Sequence, residues 1–309
     1  MWDNKTIEWL DIELTSFCNI ECPGCFRQVK RKIVNDILNK DNLSLKDLKT
    51  WITKEKFPNL KLINFCGSID EPTLHPEILQ IVEHFHSMYD INIATNGSTK
   101  TEKFWTKLGS YGISIYFGID GTDQKSLEKY RIGSSYKKIQ TNYRSFIAAG
   151  GHATWQYIVF EYNEHLLEEA KKISVEEGFK NFRTIYSHRT GNKESKTKKR
   201  DEEQEIVCKY GEQKRIFLSH TGALLPCCFL NSEFLQVYSG GGAETSFTKK
   251  YKELDEVLSN NLKYNSPSEV IDGELFKFVV DSWKSKPIER CWHTCKKAKQ
   301  DVFIHEELK

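Results

Sequence analysis

Near the N-terminus, Cys18, Cys22 and Cys25 form a C-x3-C-x2-C run closed by the aromatic Phe26. Three thiolates on one short loop can hold three irons of a cubane cluster and leave the fourth iron open to a substrate-like ligand, an arrangement suited to catalysis. Zinc is the competing chemistry, but a zinc knuckle draws four ligands from paired C-x2-C hooks, and scattered buried thiols need no regular spacing. A second set lies towards the other end of the chain: Cys208, Gly222 after thirteen residues, Cys227 after four more, and Cys291-Trp292-His293-Thr294-Cys295. Cys208, Cys227, Cys291 and Cys295 are enough to ligate a second cubane completely, or a zinc ion. His293 lies between two of these ligands, and a lone histidine there reads as structural.

Elements must place these loops. Ile7 to Leu14 alternates as a strand and sets the first cysteine loop just past its C-terminal end, the end that carries chemistry in parallel barrels. Further apolar runs at 60–65, 91–95, 113–119, 155–160 and 182–186 predict strands. Leu45, Leu48 and Ile52 follow helical spacing behind a Ser44 cap, as do Ile78, Val82 and Phe85 behind Pro76. Ile139, Tyr143 and Phe146 share a face before Gly150, and Leu166, Ala170 and Ile173 share one before Gly178. These stripes read as core, and the alternation predicts an α/β chain: a partial (β/α)6 TIM-type barrel over residues 1–190. Residues 191–204, within a basic run from Arg189 to Arg200 that gives way to Asp201, Glu202 and Glu203, read as a charged linker, or as a lid for an acidic peptide or phosphates. Residues 205–309 then form a small α+β cluster-binding domain that opens on a hairpin about Ser219–Gly222.

At 309 residues the chain can bury roughly three quarters of its unfolded surface without disulfide staples. Lys+Arg 45 against Asp+Glu 43 leaves a net charge of +2, so nothing draws the whole chain to nucleic acid or an anionic membrane. The basic run lacks interleaved aromatics for base stacking, which argues against a nucleic-acid partner. Asp3 and Glu8 do not suit a signal peptide, and no apolar run approaches the ~20 residues of a membrane span, so a cytoplasmic protein without a membrane partner is expected. In a reducing compartment nine cysteines read as metal ligands rather than disulfide partners.

Other loops at strand ends carry polar chemistry. Cys66-Gly67-Ser68-Ile69-Asp70-Glu71-Pro72 allows close backbone approach and offers carboxylates to a ligand ammonium, although an Asp-Glu-Pro stretch alone also makes a surface turn. Thr95-Asn96-Gly97 and Gly118-Ile119-Asp120-Gly121 close the third and fourth strands, where turn chemistry alone would also place Asn-Gly and Asp-Gly.

Together these motifs resemble the radical S-adenosylmethionine (radical SAM) superfamily, whose hallmark is a C-x3-C-x2-C-aromatic loop. The resemblance implies that Cys18, Cys22 and Cys25 hold a 4Fe-4S cluster whose open iron takes the amino and carboxylate groups of S-adenosyl-L-methionine, with Phe26 beside the adenine. Glu71, and with it Asp70, which stands where a glycine is commoner, is implied as a contact of the methionine amino group. Asn96, Gly118, Asp120 and Arg131 are implied members of the same cofactor site. The C-x13-G-x4-C pattern resembles the SPASM extension or its shortened twitch form, and implies one auxiliary 4Fe-4S cluster on the four tail cysteines. The implied reaction is one-electron cleavage of S-adenosylmethionine to a 5′-deoxyadenosyl radical that abstracts a substrate hydrogen, with flavodoxin or ferredoxin as electron donor. A ribosomally made peptide, crosslinked, epimerised or oxidised, is the first expectation for the substrate. A small-molecule dehydrogenase or oxidase is the second, and a non-catalytic iron-sulfur redox sensor is the alternative of another class. Cys66 and Cys228 are candidate catalytic thiols, as hydrogen donors, or are simply packed; Cys228 could also replace Cys227 as a ligand.

Overall fold

The computed structural model describes residues 2–29, 32–33, 41–186, 205–238, 242–295 and 303–308, so the 191–204 boundary and its basic run lie outside the described residues. Along the chain run β1 (Trp9–Ile12), a short pair β2 (Gln28–Val29) and β3 (Lys32–Ile33), α1 (Leu45–Trp51), β4 (Leu62–Phe65), α2 (Ile78–Phe85), β5 (Asp90–Thr95) and α3 (Glu102–Gly109). Next come β6 (Ser114–Gly118), α4 (Gln124–Glu128), α5 (Tyr136–Ala148), β7 (His152–Val159), α6 (Leu167–Glu176) and β8 (Asn181–Tyr186). The remainder holds α7 (Lys209–Glu212), β9 (Arg215–Leu218), β10 (Leu224–Leu225), α8 (Cys228–Tyr238), α9 (Ser246–Glu256), α10 (Pro267–Ile271), α11 (Glu274–Ser282), α12 (Glu289–Cys295) and β11 (Phe303–Glu307). Every strand expected from an apolar run is present. β7 starts earlier than its run, because the small and polar Ala153 and Thr154 are also buried.

The chain divides into two compact units. One comprises Met1–Ser16, Phe26–Asp70 and Asp201–Lys299. Its strands run in the order β10-β9-β1-β4, with β1 parallel to both neighbours and Ile12 in register with Phe65 and Leu218. The expected hairpin is there: β10 turns back antiparallel to β9 through Gly222 at φ 90, a left-handed value that favours glycine. Ser44 caps α1 by accepting from the Asp47 amide, and Leu48 and Trp51 of that helix are buried. The buried Asp11 carboxylate ties this sheet across its strands, accepting from Asn64 Nδ2 at 2.6 Å, Arg215 Nε at 2.6 Å and the Tyr210 hydroxyl.

The second unit comprises Phe17–Cys25, Glu71–Arg200 and Gln300–Lys309. Its strands run β5-β6-β7-β8-β11, parallel except for β11, which pairs antiparallel with β8. Trp105, Phe117, Tyr143, Phe146, Trp155 and Phe182 are buried side by side in its core, each contributing roughly 1.5–3 kcal/mol of hydrophobic burial. Asn142 on α5 donates to the Gly97 and Thr99 carbonyls at 2.7 and 2.9 Å, which fixes the loop beyond β5. The strand ends leading into the 95–97 and 118–121 loops are thereby held by core packing.

Candidate active site

The cysteine loop packs on an apolar base of Ile20, Cys22, Tyr130, Ile158 and Phe160, with Cys18 and Cys25 against it. A tight turn, Cys25 N–H to the Cys22 carbonyl at 3.0 Å, and a bond from Glu21 N–H to the Ile132 carbonyl at 2.9 Å hold the loop's shape. Burial, followed by the nearby Glu71 and the two sister cysteines, pushes the Cys18 thiol up to about 12. An unaided Cys18 thiolate is therefore disfavoured here, and a bound cation or cluster is what would draw its proton off. The donor set fits an iron-sulfur cluster: three soft ligands in a largely apolar setting.

Around that loop stand the polar residues expected from the strand ends. The Glu71 carboxylate accepts at Oε1 from the Thr73 hydroxyl at 2.6 Å, the Thr95 hydroxyl at 2.6 Å and the Thr73 amide at 3.2 Å, and at Oε2 from the Asn96 amide at 2.7 Å. Burial pushes its pKa above the usual carboxylate range, against the pull of those donors. Asn96 Nδ2 donates to Asn19 Oδ1 at 2.9 Å, so the 95–97 loop is clasped to the cysteine loop itself. Asp120 accepts from the Ile158 amide and from Arg131 Nε, both at 2.7 Å. Burial opposes the Arg131 charge, but Asp120 and then Cys22 outweigh it and raise the Arg131 pKa. A Cβ on Gly118 would lie 2.6 Å from Arg131 Nη2, so the bare backbone lets the guanidinium lie over the strand end.

Cys18, Cys22, Cys25, Glu71, Asn96, Gly118, Asp120 and Arg131 are thus brought into one unit. Asn19, Thr73, Thr95 and Asn163 complete this arrangement. Asn163 donates to the Asp120 and Ile158 carbonyls at 3.0 Å. Sequence reasoning passed over these four as site residues. Asn19 and Thr95 sit inside quoted motifs and could have been found; an isolated Asn163 carries no signal.

The other candidates lie in the first unit. Asp70 Oδ2 accepts from the Leu14 and Thr15 amides at 3.1 and 3.3 Å, bracing the chain beyond β1. Phe26 packs against Ile69 and Leu235, with the Arg290 guanidinium 5.9 Å from its ring centre. Cys208, Cys227, Cys291 and Cys295 all line one cavity, together with Trp2, Phe229, Trp283 and Arg290. Contact with Cys295 and then burial raise the Cys208 thiol, and burial pushes Cys291 up to about 12. These thiols fit a metal cluster for the same reason as the first three. Among the described residues, no three His, Cys, Asp or Glu side chains group tightly enough for a single metal ion.

Cys228 does not line that cavity. Burial and then Asp11 raise its pKa, against the pull of Tyr210 and Arg215. Cys66 is pushed up by burial and by the charges of Asp11, Glu13, Asp70 and Cys228, and its sulfur lies 3.2 Å from Ser68 Oγ. His293 pairs with Glu289 at 3.2 Å on α12.

Residues 12–172, just over half of the chain, match the Radical SAM superfamily. The chain belongs to the radical SAM superfamily. Membership implies a 4Fe-4S cluster and S-adenosylmethionine. Over 116 residues the chain is 35% identical to the tungsten-containing aldehyde ferredoxin oxidoreductase cofactor-modifying protein of Pyrococcus furiosus; that stretch is 37% of this chain and 31% of the relative, so under a third of the relative's length is spanned. In fold it is similar to anSMEcpe with bound AdoMet (TM-score 0.58, 14% identity, 90% of this chain and 81% of that one). It is also similar to Streptococcus suis SuiB bound to precursor peptide SuiA (TM-score 0.57, 16% identity, 85% of this chain and 66% of that one). The fold is accordingly the partial TIM-type barrel of radical SAM proteins, with a sheet that does not close. Among the described residues, no helix is long and apolar enough to cross a membrane.

Proposed function

We propose that this protein is a radical SAM enzyme that abstracts a hydrogen atom from a ribosomally made peptide and leaves the peptide crosslinked, epimerised or oxidised. The observation that carries the reading is the clasp of the cysteine loop to the 95–97 loop through Asn19 and Asn96, with Glu71 behind the clasp and the Asp120–Arg131 pair against Cys22. Cys18, Cys22 and Cys25 would hold the catalytic cluster. Bound cluster and S-adenosylmethionine together supply a 5′-deoxyadenosyl radical, once flavodoxin, ferredoxin or a similar donor delivers one electron. Glu71 Oε2 takes a single amide donor and keeps acceptor capacity for an ammonium group. Arg131 is held by Nε, which leaves its terminal nitrogens for a carboxylate. Within the first unit, Asp70 braces the backbone beyond β1, and Phe26 presents an aromatic ring beside Ile69 and Leu235.

The four tail cysteines would hold an auxiliary 4Fe-4S cluster, fully ligated, that exchanges an electron with the substrate radical. A peptide is favoured over a small alcohol because the fold is shared with SuiB, whose structure includes a precursor peptide. The test is mass spectrometry of peptides encoded beside this gene after anaerobic incubation with S-adenosylmethionine and reductant. A mass change or crosslink in one of them is expected, with deuterium passing from the labelled peptide into 5′-deoxyadenosine. Deuterium arriving from a labelled polyol and never from a peptide would instead make this a small-molecule dehydrogenase.

A further inference from the structure

At the C-terminal ends of β1, β4 and β9 lies a group of polar side chains with no part in the site above. Glu13 follows β1 and is held by its N–H to the Leu218 carbonyl at 3.0 Å, while Cys66 N–H bonds to the Ile12 carbonyl at 3.1 Å. His220 follows β9, and α8 contributes Asn231, whose Nδ2 donates to Glu13 Oε2 at 3.2 Å. Glu13 is wholly buried and His220 is 5% exposed. Yet among the described residues Glu13 Oε1 and His220 Nδ1 have no hydrogen-bond partner, and Nδ1 stands 3.8 Å from Glu13 Oε2. The Ser68 hydroxyl and the His220 ring bias the carboxylate's charge without completing a bond to Oε1.

An unpaired buried polar atom is costly to keep, and among the described residues these two sit on neighbouring side chains. Such a pair is unfavourable in the free protein and suits a ligand that answers both atoms at once. An ammonium donates only, and meets the ring nitrogen solely when that nitrogen is unprotonated. A hydroxyl or carboxamide both donates and accepts, so it serves the carboxyl oxygen and the ring nitrogen in either tautomer. Half-buried Cys66 and Ser68 lie beside the pair, short of full enclosure. We infer that Glu13 and His220 form a substrate subsite for a neutral hydroxyl or carboxamide, the side-chain chemistry of Ser, Thr, Asn or Gln within a peptide. The inference rests on the peptide reading above and specifies what part of the peptide is gripped.

The test is saturation-transfer NMR on the anaerobic, oxidised holoenzyme, with N-acetylserinamide and N-acetylalaninamide as probes. The serine probe is expected to bind about tenfold more tightly than the alanine probe, the value of one well-made pair of hydrogen bonds. Glu13→Ala and His220→Ala should each remove that preference, while Glu13→Gln, which keeps a carbonyl acceptor, should retain most of it. Iron content and circular dichroism confirm that each variant is folded; should the alanine variants not fold, the wild-type preference and Glu13→Gln decide. Equal affinity for the two probes in the wild type, or a preference that survives both folded alanine variants, overturns the subsite. Because binding needs no turnover, a protein that prefers the serine probe but modifies no peptide keeps the subsite and loses the function. A protein that modifies peptides without the preference does the reverse.

Discussion

Glu13, Glu71 and Asp120 are all buried carboxylates, and they differ in how their oxygens are answered. Asp120 has Arg131 and the Ile158 amide, and Glu71 has four donors, whereas Glu13 accepts from Asn231 at Oε2, has His220 and Ser68 nearby, and among the described residues has no partner at Oε1. Burial therefore pushes the Glu13 carboxyl above its ordinary 4.5, opposed by His220 and Ser68 and reinforced by Asp11. Tyr251, Cys66 and Cys228 also face it. A folded-state value above the unfolded one means the native state binds the proton more tightly. That contribution to stability is whole below about pH 4.5 and is lost as pH rises towards the folded value. Glu13→Gln cannot ionise, so its stability should gain on the wild type between about pH 4.5 and pH 8. Urea midpoints at the two pH values check this; a gap that stays constant or shrinks contradicts it. Nothing in the order of residues singled out Glu13 or His220, because one polar residue at a strand end looks like any other until three strands are placed in register.

The strands were legible because runs such as 113–119 are dense in β-branched and aromatic residues, and the cap at Ser44 because serine before an apolar spacing has few other uses. α3 was missed: of its eight residues only Trp105, Leu108 and Gly109 are buried, too few for a clear period. Its packing on α5 depends on Gly109, where a Cβ would meet the Phe146 carbonyl oxygen at 2.3 Å and the Ala149 Cβ at 2.9 Å. Backbone cannot yield as a long side chain can. Gly109→Ala should therefore cost about 1–3 kcal/mol, the usual penalty of overpacking, despite alanine's better helix propensity. Chemical denaturation measures it, and a neutral or stabilising result would show that α3 shifts freely over α5. The loops at 95–97 and 118–121 were legible for the opposite reason: Asn-Gly and Asp-Gly mark turns, and turns at strand ends are where a barrel keeps its polar groups.

Across the molecule the two cysteine sets fall in different compact units, the first with the Glu71–Asn96–Asp120–Arg131 group and the second lining its own cavity. The spacing of the first set was enough to point to the family, since little else asks for C-x3-C-x2-C followed by an aromatic. The substrate was not legible, because the side chains proposed to grip it, Glu13 and His220, are far apart in sequence and share no motif. The proposed function divides the labour: it gives the first set the cleavage of S-adenosylmethionine and the second the later fate of the substrate. The most direct measurement is 5′-deoxyadenosine formed on anaerobic reduction with S-adenosylmethionine, compared among wild type, Cys22→Ser and Cys208→Ser at matched protein concentration. The wild type should form it, Cys22→Ser should form none, and Cys208→Ser should still form it while giving no modified product. No 5′-deoxyadenosine from iron-replete wild type, or undiminished formation by Cys22→Ser, would contradict the account.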